Sequence, residues 1–140
     1  MKTELHEIIE LSNGLKRWLL NGKLHRVDGP AMECPSGSKE WYYDGKLHRL
    51  DGPAVEWSDG KKEWYIDGER HRLDGPAIEW SNGHKEWWVA GVRNRIDGPA
   101  IEWINGHKDW CINGRFFNSQ EAWFKALTKE EKLAYLFNME

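Results

Sequence analysis

The chain is 140 residues long, with 20 Lys and Arg against 23 Asp and Glu and a formal net charge of −3. That length holds one domain or one short repeat array, and so balanced a charge withholds the net positive field of a nucleic-acid binder. Two cysteines, Cys34 and Cys111, are too few for a disulfide-built secreted scaffold, and ten tryptophans with fourteen glycines are the compositional anomaly.

From the first residues onward the chain repeats itself. Met1–Glu7 has no apolar core of a signal peptide, and no window approaches the roughly 18 apolar residues of a membrane span, so a cytoplasmic setting and no transmembrane segment are expected. Asp-Gly-Pro-Ala begins at Asp28, Asp51, Asp74 and Asp97, each 23 residues after the last. Trp18, Trp41, Trp64, Trp87 and Trp110 keep the same step, as do Trp57, Trp80 and Trp103. A fixed period of this length marks a solenoid or array built of one small unit. The reading is five tandem β-hairpin repeats over 1–118, with atypical outer units, followed by a helical cap over 119–140.

Within a unit, Ala54-Val55-Glu56-Trp57 and Trp64-Tyr65-Ile66 read as strands, separated by Ser58-Asp59-Gly60. Asp-Gly and Asn-Gly suit two-residue type I′ turns, in which both central residues take positive φ. A second such turn follows at Asn21-Gly22, Asp44-Gly45, Asp67-Gly68 and Asn113-Gly114. A third short segment, such as Glu69–Leu73, leads to the Asp-Gly-Pro corner, where the proline can make no ladder bond. Strand parity then places Val55, Trp57, Trp64 and Ile66 on the packed side, with Glu56, Glu63 and Tyr65 opposite. Stacked indoles are the expected source of stability. The fold class is mainly β: a single-layer antiparallel meander or solenoid of hairpin repeats with a short C-terminal helical cap.

At the end the period changes. Asn118 as N-cap predicts a helix near 119–127, and the capping box Thr128-Lys129-Glu130-Glu131 predicts another near 129–138. Trp123, Phe124 and Leu127 form one apolar face, and Leu133, Leu136 and Phe137 the next. They are expected to cover the last repeat; a partner-binding hook ending in Phe137 and Met139 is the alternative.

Units such as Gly45–Trp57, closed by Asp59-Gly60-Lys61-Lys62-Glu63-Trp64, resemble MORN repeats. The likeness is to the variant 23-residue form of bacterial, phage and large-virus proteins, including YwqK-like antitoxin proteins. It covers about four-fifths of the chain, with His-Arg-x-Asp-Gly-Pro-Ala as an elaboration that the ordinary unit lacks. It implies a curved hairpin sheet used as an interaction or lipid-associated surface rather than an enzyme, and a phage or bacterial inhibitor or antitoxin-like role.

Candidate sites lie on the repeat's polar lines. His25, His48 and His71 recur, with Asn94 in the next place; Arg26, Arg49, Arg72 and Arg95 follow them, and Asp28, Asp51, Asp74 and Asp97 stand two further on. One account is structural: each aspartate ties its corner and Arg–Glu33, Arg–Glu56, Arg–Glu79 and Arg–Glu102 pairs staple strands. The functional account makes Arg26, His48, Arg49, His71, Arg72 and Arg95 a groove for an anionic nucleotide or phosphorylated signal, since the guanidinium fork matches phosphate. Tyr42, Tyr43, Tyr65 and Trp88 read as an aromatic strip for a protein partner. No metal-ligand motif, phosphate loop or nucleophile elbow occurs, so no catalytic residue, metal or cofactor is expected. The leading expectation is a non-catalytic binding protein with a protein partner. The alternatives are a sponge for an anionic small molecule and a structural or assembly protein; nucleic acid is disfavoured and a homo-oligomer is compatible with all of them.

Overall fold

The computed structural model describes residues 3–139. The chain divides into two compact units, Met1–Arg70 and His71–Glu140, and in each the 23-residue pattern lays down two kinds of antiparallel hairpin. In the first unit His6–Glu10 pairs with Lys16–Leu20, which pairs onward with Met32–Glu33. The meander continues through Lys39–Glu40, Val55–Glu56 and Lys62–Glu63. Side hairpins branch from it: Tyr42–Tyr43 with Lys46–Leu47, and Tyr65–Ile66 with Glu69–Arg70. The second unit repeats the scheme with Ile78–Glu79, Lys85–Glu86, Ile101–Glu102, Lys108–Ile112 and Arg115–Phe117, and its side hairpin is Trp88–Val89 with Val92–Arg93.

The two hairpin kinds differ in their turns. Side turns are of the expected two-residue type, with both residues at positive φ: Asp67 at 50° and Gly68 at 82°, for example. Their equivalents are Asn21-Gly22, Asp44-Gly45, Ala90-Gly91 and Asn113-Gly114. Asn and Asp tolerate this region through local hydrogen bonding, whereas an ordinary L-residue is strained there. Ala90, at φ 48°, is the residue without that help.

Main-sheet turns correct the sequence reading. Only their glycine is left-handed, as at Gly60 (φ 94°) and Gly83 (φ 94°). The Gly60 N–H donates to the Trp57 carbonyl and the Trp57 N–H to the Lys61 carbonyl. This is a type I turn closed by a glycine bulge, a three-residue loop. Asp59 Oδ1 accepts the Lys61 N–H at 2.9 Å, and Asn82 and Asn105 do the same for His84 and His107. The side chain thus pre-forms the turn.

The extra loop residue moves the register by one, which reverses the faces of the returning strand. Val55 lies opposite Glu63, and Glu56 opposite Lys62. Glu63 therefore shares the face of Val55 and Trp57, contrary to the parity expected from a two-residue turn, and it is buried. Trp57, expected in the packed layer, is about two-fifths exposed, at 42%, as is Trp103 two repeats on, at 43%.

The core is slender. Ala31, Ala54, Ala77 and Ala100, the last residues of the Asp-Gly-Pro-Ala motifs, are fully buried, with Val55, Ile78 and Ile101 beside them. Each alanine carries ladder bonds as well: the Ala54 carbonyl accepts from Trp41 N–H, and the Ala54 N–H donates to Glu63. Indoles mostly meet cations rather than one another. The guanidinium carbons of Arg26, Arg49 and Arg95 sit 4.0, 3.9 and 3.8 Å over the rings of Trp18, Trp41 and Trp87, where the ring quadrupole attracts the charge.

Two helices close the second unit: α1 (Gln120–Ala126) and α2 (Lys129–Asn138). The N-cap of α1 is Ser119, one residue beyond the expected Asn118, and its hydroxyl accepts the Ala122 N–H. The Thr128 capping box of α2 forms as expected. Trp123 is wholly buried, stacks on Trp110 at 4.7 Å and donates through its indole N–H to the Arg95 carbonyl. Covering of the last repeat falls to α1. The expected burial of Leu133, Leu136 and Phe137 does not occur: these side chains are exposed, and α2 is held instead through Tyr135, which contacts Trp123 and Phe124 and accepts from Gln120.

Candidate functional site

The recurring polar residues assemble into three structures per repeat, and the arginine corner comes first. Arg49 Nε donates to Asp51 at 2.9 Å, and its Nη1 donates to the Pro53 carbonyl at 3.0 Å and to Glu56 at 3.2 Å. Arg72 and Arg95 repeat these contacts on Asp74, Pro76 and Glu79, and on Asp97, Pro99 and Glu102. Arg26 does the same on Asp28 and Pro30, with Glu33 at 3.5 Å. The fixed fork of guanidinium donors suits several convergent acceptors where an ammonium would not. The arginine hydrogen bonds, and then its charge, hold Asp28 and Asp51 below the usual carboxylate range. Nε and Nη1 of every predicted ligand-binding arginine are thus engaged inside its own corner.

The histidine line forms the second structure. Nδ1 of His25, His48 and His71 accepts the backbone N–H of Asp44, Asp67 and Ala90, at 2.9–3.0 Å. An accepting Nδ1 leaves the proton of the neutral ring on Nε2. Asn94 supplies the same acceptor through Oδ1, to Asn113 N–H at 2.9 Å. The break in the histidine series is therefore a substitution of one acceptor for another.

The third structure went unread in the sequence because it depends on the bulged turn. Glu63 is buried and receives Lys61, the Trp57 indole N–H and the Tyr65 hydroxyl at 2.9–3.0 Å, with Arg70 at 3.5 Å. Glu86, in the same place one repeat on, receives the Trp88 indole N–H and Arg93 and bonds His84. Burial works to raise both carboxyls, but these hydrogen bonds outweigh it and hold them below the ordinary glutamate range. The recurrence of Glu40, Glu63, Glu86 and Asp109 every 23 residues was the available signal.

This network absorbs most of the predicted aromatic strip. Tyr42, Tyr65 and Trp88 occupy one half-buried slot and each donates to an acid two residues earlier, Glu40, Glu63 or Glu86. Burial first, and then the bonded carboxylate, raise the Tyr42 and Tyr65 hydroxyls above the usual tyrosine range. Tyr43 is different: it is exposed and lies against His25 and His48, with ring centres 4.4 and 5.9 Å away.

Each corner also carries one exposed aliphatic residue. Between the arginine and the aspartate of each corner stand Val27, Leu50, Leu73 and Ile96, of which the first three are 83%, 82% and 80% exposed. In the first unit, the corners at Arg26 and Arg49 flank an open cleft of about 780 Å³ that includes Val27, Leu50, Tyr43 and His48. In the second unit, the corners at Arg72 and Arg95 flank one of about 630 Å³ with Leu73, Val89 and Ile96. The clefts hold Arg26, His48 and Arg49, and Arg72 and Arg95; His71 lines neither. Among the described residues no group of three His, Cys, Asp or Glu could hold a metal ion, and no helix is long and apolar enough to cross a membrane.

A scan against protein-family models finds no match, and a search of curated proteins returns no significant relative. The architecture stands as a repetitive antiparallel hairpin array.

Proposed function

We propose that the chain is a non-catalytic binding protein whose repeats present their corners to a protein partner. The observation that carries this reading is the exposed aliphatic residue of each corner. Val27, Leu50 and Leu73 are held in solvent by corners whose arginine and aspartate are bonded to each other, and Tyr43 adds an exposed ring beside two of the corners. Rigid apolar anchors rimmed by carboxylates are the usual makings of a protein contact. The likeness of the units to the variant MORN repeat supports the same reading and adds a finer one, a phage or bacterial inhibitor or antitoxin-like factor. The buried acids are saturated with structural hydrogen bonds, which supports a non-catalytic role. The free cysteines Cys34 and Cys111 support a cytoplasmic setting. The sponge for an anionic small molecule draws less support, because Nε and Nη1 of the arginines are spent within the corners.

The test is native mass spectrometry of protein purified from its own cells, with Leu50→Asp and Leu73→Asp variants alongside. A stoichiometric protein partner, lost in the variants at unchanged melting temperature, is the expected result. A co-purifying mass of a few hundred daltons that survives both substitutions would replace this reading with the sponge.

A further inference from the structure

The outermost strand of the first unit, His6–Glu10, is exposed along its whole length. Leu5, Ile8 and Leu11 are 57%, 68% and 40% exposed. Its hydrogen bonding fixes which backbone groups are spent. Leu5 accepts the Asn21 N–H at its carbonyl, and Leu11 donates to the Leu15 carbonyl. With Glu7 opposite Leu19 and Ile9 opposite Arg17, antiparallel alternation assigns the odd-numbered residues to the inner ladder. The N–H and C=O groups of His6, Ile8 and Glu10 point the other way, off the sheet edge. Such an edge is a template for a further strand.

The edge sequence is complementary to itself. Laid antiparallel about a two-fold axis through Ile8, two copies pair Ile8 with Ile8, His6 with Glu10 of the other copy, and Leu5 with Leu11. His6–Glu10, Ile8–Ile8 and Glu10–His6 are then the hydrogen-bonded pairs, each exchanging two backbone bonds. The imidazole meets a carboxylate, leucine meets leucine, and Glu7 faces Ile9, so no like charges stand directly opposed. Sliding one copy by two residues brings Glu10 opposite Glu4 instead. A two-fold interface of this kind closes on itself and stops at the dimer. We propose that this strand is a homodimer interface, joining two copies edge to edge in the register centred on Ile8.

The experiment is sedimentation equilibrium of the full chain from micromolar to several hundred micromolar, with amide exchange at both ends of that range. A dimer is expected, with the His6, Ile8 and Glu10 amides gaining protection as concentration rises while those of Glu7 and Ile9 stay as they are. Ile8→Pro removes only an outward N–H, which an edge strand tolerates, and should raise the dimer dissociation constant by about tenfold or more at unchanged far-ultraviolet dichroism. His6→Glu sets two acids face to face and should weaken the dimer, and adding Glu10→Lys should restore it. A chain monomeric throughout, a dimer whose three outward amides gain no protection, or a His6→Glu defect that the charge swap does not repair would each overturn the proposal.

Discussion

Replacing Arg49 by alanine decides between a strut and a ligand group. The side chain is about one-fifth exposed, at 21%, and three of its contacts bear on stability. Its bond to the partly buried Pro53 carbonyl contributes about 1–1.5 kcal/mol. The ion pair with Glu56 is worth about 0.2–1 kcal/mol, because that carboxylate is itself more than a third exposed and is screened. Stacking on Trp41 at 3.9 Å adds about 0.5–1 kcal/mol. Asp51 stands in solvent and adds little. Arg49→Ala should therefore cost about 1.7–3.5 kcal/mol, a large share of the total of a small domain. Arg49→Lys should recover only part of it, since one ammonium cannot reach Pro53 and Glu56 while stacking flat on an indole. Equilibrium urea unfolding followed by tryptophan fluorescence measures both losses. If Arg49→Ala unfolds within about 0.5 kcal/mol of the parent, as ordinary surface changes do, the corner is not a strut and the energetic argument fails.

Ala90→Asn should stabilise the chain by about 0.5–1 kcal/mol, because it relieves an alanine held at positive φ and restores the residue type used at Asn21 and Asn113; calorimetry would show a higher melting temperature, and a lower one would contradict the turn assignment. His71→Asn should be nearly silent, since Asn94 makes the equivalent bond, whereas His71→Leu leaves the Ala90 N–H without its acceptor and should cost about 0.5–1.5 kcal/mol. Acid should destabilise the fold. Glu63 and Glu86 have depressed pKa values when folded, so their contribution is complete above the ordinary glutamate pKa and is lost as pH falls through the lower folded values. Urea midpoints measured from pH 6 downward should fall across that interval, and Glu63→Gln should shallow the fall; a profile unchanged by the substitution would remove Glu63 from the account.

The repeat, its length and its antiparallel hairpins were legible because glycine, proline and tryptophan recur at fixed spacing, and turn chemistry is local. Faces were not, for one reason: Ser58-Asp59-Gly60 serves either a two-residue or a bulged three-residue turn, and the choice shifts Glu63 from solvent to core. With Glu63 went the reading of Tyr42, Tyr65 and Trp88: acid and aromatic stand two residues apart and share a face in either register, so placing Glu63 and Tyr65 on the outer side made the strip look free, whereas each of its three members is bonded to a carboxylate. The capping box at Thr128 was readable from the sequence, yet the exposure of Leu133, Leu136 and Phe137 was not, because amphipathic spacing says which face is apolar without saying what covers it. The exposed aliphatic residues of the corners escaped attention since a single valine or leucine in a polar segment carries no signal except its period.

Each corner also keeps its own books. The Arg49 side chain runs from Trp41 on one side to Glu56 on the other and its backbone N–H donates to the Tyr65 carbonyl, so these contacts of the corner all lie within one period of the chain. A further copy of the 23 residues brings its whole corner with it and asks nothing new of its neighbours. Loss or gain of a single residue between Trp57 and Glu63 would instead turn the returning strand over and present its carboxylate to the wrong side. Such an array can lengthen or shorten by whole counts only, and the number of corners it presents becomes a quantity that duplication or deletion of a repeat can tune.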